Sequence, residues 1–281
     1  MRSIANILSF DVEDWYQVEN LKPFVNCCDW DNYEPKVEKN VDLLLSILNE
    51  RGTKATFFVL GWCAERMPEL IKRIADAGHE VGSHGYGHNL IYNMSQNEFE
   101  DDIAKSLEAI SCVTGKPVLS YRAPSFSIVQ DSIWALDILA KLGIKYDSSI
   151  FPIKHHRYGM PEAPDQPYIV DTEHGQVVEF PIYTVSKFGK KFPAGGGCYY
   201  RLMPYPVIRY CLRQAKDGVP AVLYMHPWEF DASQPRFRMP FLMSIRCYYG
   251  FNAMERKLRR LLTDFEFAPL SKVAAEMDNS I

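Results

Sequence analysis

Two imidazoles four residues apart, His84 and His88 in VGSHGYGH, have the spacing and chemistry to hold a divalent ion between them. On one helical turn such rings would lie roughly 6 Å apart on the same face. Carboxylates crowd elsewhere: ILSFDVEDWY carries Asp11, Glu13 and Asp14 within four positions, directly ahead of Trp15 and Tyr16. Acids this close repel one another unless a cation sits among them. Arg122 in YRAPSF, Asp147 in KYDSSIF and His226 in VLYMHPWEFD complete the set. Arg122 among carboxylates would keep one of them ionised and oriented. His226, delivered by an apolar run into a Pro–Trp turn, is suited to act as general acid or base. Each residue alone has a plainer reading as a cap, an ion pair or a core histidine.

The elements that must carry these residues are short β-like runs alternating with amphipathic helices. Strands are expected at 6–10, 54–60, 80–83, 119–122, 144–147, 177–181 and 221–226. Val37, Val41, Leu44, Leu45 and Leu48 recur at helical spacing before Gly52, and Pro68–Ala77 stops at Gly78. Ser95 with Glu98 reads as a capping box that opens a helix closed by Gly115. A further helix over 131–142 stops at Gly143. This alternation predicts parallel βα units, an α/β barrel or open sheet, and each chemical cluster falls at the C-terminal end of a strand, where such folds build sites. Residues 152–167, with His155 and His156, read as a long loop. The three glycines 195–197 suggest close backbone approach. A basic, aromatic tract at 236–260 leads to a final amphipathic helix over 253–262.

Composition narrows the classes. With 47% apolar and 13% aromatic residues the chain can build a large core, which argues against disorder. A net charge of −4 lacks the basic excess of a nucleic-acid binder, so none is expected. The N-terminal run has no secretory pattern, and no apolar stretch reaches membrane-spanning length. Seven cysteines without a CxxC pair read as reduced thiols, so the expected location is cytoplasmic.

In order, SFDVED, SHGYGH, YRAPS, YDSS and LYMH resemble the motifs of the NodB-like polysaccharide deacetylases, carbohydrate esterase family four, over roughly residues 8–228. The resemblance implies a distorted (β/α) barrel of about seven strands in one domain, residues 1–281, with its core at about 4–230. FDVEDW, HPWEFD followed by QPR, and AGGGCYYR further resemble a subgroup linked to bacterial exopolysaccharide and surface-glycan synthesis, characteristic from about residue 190. In the family, adjacent aspartates precede glycine; here Val12, Glu13 and Asp14 follow Asp11. By resemblance Asp11 is the base, and the third metal ligand is Glu13 or Asp14. Strand alternation favours Glu13, and a turn after Val12 would bring in Asp14.

The resemblance implies a divalent ion, zinc before cobalt or nickel, held by His84, His88 and one carboxylate, and an N-acetylated glycan as substrate. Asp11 would take a proton from water, with Arg122 aligning it. His226 would protonate the leaving amine, with Asp147 orienting its ring, and a backbone N–H near Ala123 would receive the oxyanion. Trp15, Tyr16, Tyr86, Phe126 and Trp228 are candidates for an aromatic wall against a sugar ring. The rival readings are a hydrolase of a non-sugar C–N bond, such as a cyclic ureide or imide, and a catalytically silent glycan-binding relative. A sugar-sized aromatic groove favours the deacetylase, and a small closed pocket favours the ureide or imide. The tract at 236–260 also suggests weak association with an anionic membrane surface.

Overall fold

The computed structural model describes residues 4–155 and 157–277; His156 lies outside the described residues. Its strands are β1 (Asn6–Val12), β2 (Thr56–Val59), β3 (Glu80–Ser83), β4 (Ser120–Tyr121), β5 (Tyr146–Asp147), β6 (Tyr168–Thr172), β7 (Gly175–Glu179), β8 (Thr184–Lys187), β9 (Lys190–Pro193), β10 (Val222–Met225) and β11 (Phe267–Ala268). The helices are α1 (Val37–Glu50), α2 (Gly61–Arg66), α3 (Pro68–Asp76), α4 (Gln96–Thr114), α5 (Ala135–Lys141), α6 (Cys198–Leu202), α7 (Tyr205–Leu212), α8 (Phe241–Tyr248), α9 (Phe251–Asp264) and α10 (Leu270–Met277).

The main sheet runs β10-β1-β2-β3-β4-β5-β7, every neighbouring pair parallel. These are the seven strands expected from the sequence, and they form a mainly parallel α/β sheet. Antiparallel β6 extends the β7 edge, and β11 joins β1 at Asn6 and Ile7, below the register of β2. The barrel closes through irregular backbone: Ile182 N–H donates to Ile150 O, Tyr183 N–H to Val222 O and Gly197 N–H to Tyr224 O. The glycine tract therefore lies against β10. A Cβ on Gly196, at φ +135°, would stand 1.9 Å from Tyr224 O, so only glycine fits there.

Strand alternation sorts the core. Leu8, Phe10 and Val12 of β1 pack under the helices, while Ile7 joins Phe58, Phe126 and Tyr224 inside the barrel. Each of those outward apolar side chains is fully buried, contributing roughly 1.5–3 kcal/mol. Ser9, Asp11 and Glu13 share the inner face with Ile7. On β10 the same rule sends Leu223 and Met225 outward and Tyr224 and His226 inward.

Local signals explain the helices. Ser95 Oγ accepts the Glu98 N–H at 3.3 Å while Glu98 returns a bond to the Ser95 N–H at 2.8 Å, the expected box, and Gly115 closes α4 at φ +65°. Two expectations fail. The helix expected over 131–142 begins only at Ala135, because Ser132 Oγ accepts the Val129 N–H and makes a 3-10 turn first. The helix expected over 253–262 is longer and is not the last, since α10 follows it and packs on β1. Among the described residues no helix is long and apolar enough to cross a membrane.

Candidate active site

The C-terminal ends of β1, β3, β4 and β10 converge on one cavity of about 310 Å³ whose wall includes Asp11, Glu13, His84, His88 and His226. Asp11 is held by Arg122, whose Nη1 donates to Asp11 Oδ1 at 2.8 Å and to Ser9 Oγ at 2.7 Å. Arg122 also donates from Nε to Ser148 O and from Nη2 to Ser148 Oγ, and lies over the Phe58 ring at 4.4 Å. Completely buried and saturated with partners, this guanidinium fixes the Asp11 carboxylate.

Glu13, His84 and His88 can bring one ligand atom each to within 4.8 Å of one another. His84 Nδ1 lies 2.8 Å from Arg122 O, so the ring donates there and leaves Nε2 as a lone-pair ligand. Burial, stronger than the nearby carboxylates, lowers its pKa to about 4 and keeps the ring neutral. Glu13 Oε2 sits 2.7 Å from His88 Nε2 yet makes no hydrogen bond, the arrangement of two donor atoms converging on a third point. Burial disfavours the Glu13 anion, but His88, His226 and His84 together outweigh it and hold the pKa at about 2. This orphaned buried oxygen beside two imidazoles fits a divalent ion.

The histidine pair is carried by a loop and not by the helical turn its spacing suggested. Gly85 at φ +75° and His88 at φ +52° turn the chain. Asp102 of α4 clamps it through the N–H groups of Tyr86 at 2.7 Å and Gly87 at 3.3 Å. Ser125 and Phe126, in the wall of the same cavity, also adopt φ near +53°. Three of the four non-glycine residues at positive φ among the described residues thus ring this site, where strain is held by surrounding contacts.

His226 Nε2 lies 3.8 Å from Asp11 Oδ2 and 3.7 Å from Glu13 Oε1. Its Nδ1 faces Glu229 Oε2 at 3.2 Å. Arg201 of α6 in turn donates to Glu229 Oε1 at 2.7 Å and to the carbonyls of Cys247, Tyr249 and Arg246. Burial alone would lower the His226 pKa; Glu229 first, then Glu13 and Asp11, push it up to about 9. These carboxylates favour the protonated ring. Glu229 and Arg201 were not singled out from sequence. Glu229 sits three residues after His226 in HPWEF, a readable turn spacing, whereas nothing local marks Arg201.

Several sequence expectations are corrected here. Asp14 does not join the metal set: its carboxylate accepts the N–H groups of Trp15, Lys36 and Val37 at 2.7, 2.6 and 2.9 Å, capping both a 3-10 turn and α1. Asp147 is not the partner of His226. It accepts from Ser149 Oγ at 2.6 Å and pairs with Glu179, burial raising the pKa of both acids. The Ala123 N–H is spent on Ser149 Oγ at 2.8 Å, so it is not free for an oxyanion. Trp15 and Tyr16 lie in an aromatic cluster with Trp30 and Tyr33, away from the cavity wall. Tyr86 bonds Glu65 and lies beneath Lys105, in a different depression. Phe126 and Trp228 do line the cavity, and Trp228 Nε1 donates to Glu13 Oε1 at 2.9 Å while its ring stacks on His226.

Comparisons with known proteins agree with this architecture. Residues 29–146 match the polysaccharide deacetylase family model, and residues 148–275 match a domain of unknown function, DUF3473. A peptidoglycan deacetylase of Helicobacter pylori is 38% identical over 40% of the chain, and a peptidoglycan-N-acetylglucosamine deacetylase of Bacillus cereus is 34% identical over 34%. The matched stretches span only 38% and 34% of those relatives' own lengths. A structure from Mycobacterium smegmatis assigned to the polysaccharide deacetylases superposes with a TM-score of 0.65 at 22% identity, covering 98% of this chain and 91% of that one. A family-four pseudoenzyme from Bacillus anthracis superposes at 0.52 with 16% identity, over 97% of this chain and 66% of that one. At such identities the structural likeness concerns the fold alone. The family model over residues 29–146 and the sequence relatives together show that this part of the chain is similar to the polysaccharide deacetylases.

Proposed function

We propose that the protein is a metal-dependent hydrolase that removes N-acetyl groups from a bacterial surface glycan or its lipid- or nucleotide-linked precursor. One observation carries the reading: a carboxylate fixed by a buried arginine and an imidazole stand 3.8 Å apart beside a two-histidine, one-carboxylate set. A divalent ion bound by Glu13, His84 and His88, zinc before cobalt or nickel, supplies Lewis acidity beside these groups and lowers the pKa of water.

The chain's own residues supply the proton transfers. Asp11 uses Oδ2, the oxygen not bonded to Arg122, to take a proton from the attacking water. The water oxygen bonds to the acetamide carbonyl carbon, and the C–N bond then breaks. His226 Nε2 gives its proton to the departing nitrogen, which leaves poorly unless protonated. Glu229 holds the imidazolium through Nδ1, and Arg201 holds Glu229. With the Ala123 amide already engaged, the Ser125 amide is the candidate donor for the oxyanion, since Ser125 lies in the wall at positive φ. Phe126 and Trp228 border the space for the sugar.

The size and aromatic lining of the cavity support a sugar ring over a small imide. The complete set of proton-transfer groups supports an enzyme over a silent binder. Strands from both matched stretches share one sheet, which supports a single functional unit. A cytoplasmic setting belongs to the proposal, supported by the exposed adjacent thiols Cys27 and Cys28. So does weak membrane association, supported by exposed Phe241 and Leu242 on α8 near Arg236 and Arg238.

The test is mass spectrometry of N-acetylglucosamine oligosaccharides and of a cyclic imide incubated with protein loaded with a divalent ion. Deacetylated sugar is expected. Turnover of the imide alone would favour the non-sugar reading, and turnover of neither by folded, loaded protein would refute the proposal.

A further inference from the structure

The catalytic cavity has a second wall, contributed by the region matched to the uncharacterised domain, and its charge is not needed for the chemistry above. Arg157, from the irregular segment after β5, and Arg246, from α8, line the same cavity as Asp11 and His226. The other charges there are accounted for. Asp11 pairs with Arg122, Glu13 faces the histidines, Arg201 pairs with Glu229, and Glu19 pairs with Lys22 at 2.7 Å. Arg157 donates from Nη2 to the neutral Asn20 Oδ1 at 2.6 Å, and no carboxylate lies within ion-pair distance of it among the described residues. The Arg246 guanidinium likewise has no ion-pair partner among the described residues; only its backbone carbonyl is used, by Arg201. The charges of Arg201, Arg157 and Arg246 all act on the buried thiol of Cys247, so the three form one positive patch. In a chain of net charge −4, two unpaired guanidiniums on one cavity wall concentrate positive potential where substrate must enter.

We propose that Arg157 and Arg246 form an anion subsite that selects glycans carrying a phosphate or carboxylate group next to the N-acetylated sugar. The planar guanidinium fork suits both groups, each of which presents paired oxygens. Asn20, by orienting Arg157, limits the rearrangement needed to receive the anion. This inference rests on the deacetylase reading and adds the class of glycan to it.

The test compares the ion-loaded wild type with the Arg157→Gln/Arg246→Gln double variant, folding being checked by circular dichroism. Three substrates are used: a neutral N-acetylglucosamine oligosaccharide, UDP-N-acetylglucosamine, and an N-acetylated oligosaccharide with a neighbouring uronic acid. For at least one anionic substrate, KM should rise roughly tenfold or more in the variant with kcat nearly constant, while neutral turnover changes less than about threefold. The substrate that responds tells phosphate from carboxylate. Equal KM values for both anionic substrates in the two proteins would overturn the subsite and leave the deacetylase reading intact. If the wild type releases acetate from none of the three, that reading fails, and calorimetry of chelator-treated protein decides the subsite. Pyrophosphate or glucuronate should then bind at least roughly tenfold more weakly to the double variant, and equal binding would overturn the proposal.

Discussion

Replacing Glu229 with Gln changes one charge and almost no volume, and its consequence follows from the geometry. The Gln carbonyl can still accept from Arg201 Nε, now 2.7 Å from Glu229 Oε1, and Arg201 keeps three backbone carbonyls, so the fold should survive. The amide NH2 would then face His226 Nδ1 across the present 3.2 Å contact, and the bond that Oε2 now accepts from the His226 N–H at 3.1 Å would be lost. A donor opposite Nδ1 favours the neutral ring and opposes the imidazolium. The carboxylate neighbours push the His226 pKa up from an ordinary 6.5 to about 9, which favours the imidazolium by roughly 3 kcal/mol. Burial opposes that charge, and Glu229 is the largest group sustaining it. A raised histidine pKa means that the proton, and the acid function, is present below it and lost as pH rises through it. Glu229→Gln should therefore move the alkaline limb of kcat/KM down by about two pH units, with a loss of roughly tenfold at pH 8. The assay is acetate release across pH 5–10 with both proteins loaded with the same ion, so that the effect of the ion is common to both. An alkaline limb that moves by less than about half a pH unit would refute the assignment of Glu229 as the partner of His226.

Three further outcomes follow. Glu13→Gln should abolish stoichiometric ion binding, read by elemental analysis, while Asp14→Asn keeps the ion and loses roughly 1–2 kcal/mol of stability in urea through its weakened caps. Arg122→Met strands the buried Asp11 carboxylate and should cost about 3–5 kcal/mol, visible as a lower urea midpoint. For Asp147 and Glu179, burial raises the folded pKa above the unfolded value, so the folded state holds a proton that the unfolded chain has lost. Stability should accordingly fall as pH rises above the ordinary carboxylate range, and Glu179→Gln should flatten that fall.

The parts of the site that were legible in the sequence are those set by strand alternation and strand ends. Asp11 and Glu13 share a face because their period is two, and β1, β3, β4 and β10 end where SFDVED, SHGYGH, YRAPS and LYMH stand. What was not legible depends on tertiary closure. Asp147 ends a two-residue strand whose turn carries Ser149 to its carboxylate, so position at a strand end did not mean orientation toward the cavity. Arg201 reaches the cavity from α6, which follows the glycine tract seated on β10, and Arg157 and Arg246 reach it from segments far apart along the chain. Trp15 and Tyr16 adjoin the acids in sequence, but the 3-10 turn capped by Asp14 swings them into the cluster with Trp30 and Tyr33.

The central claim is that one divalent ion, Asp11 and His226 act together on an acetamide. Its most direct test measures acetate released from an N-acetylglucosamine oligosaccharide together with ions bound per chain, for the wild type, Asp11→Asn and His226→Gln. The account predicts one ion per chain in all three proteins, with acetate released by the wild type and lost by at least about 100-fold in each variant. Full acetate release by either variant, or none by ion-loaded wild type, would contradict it.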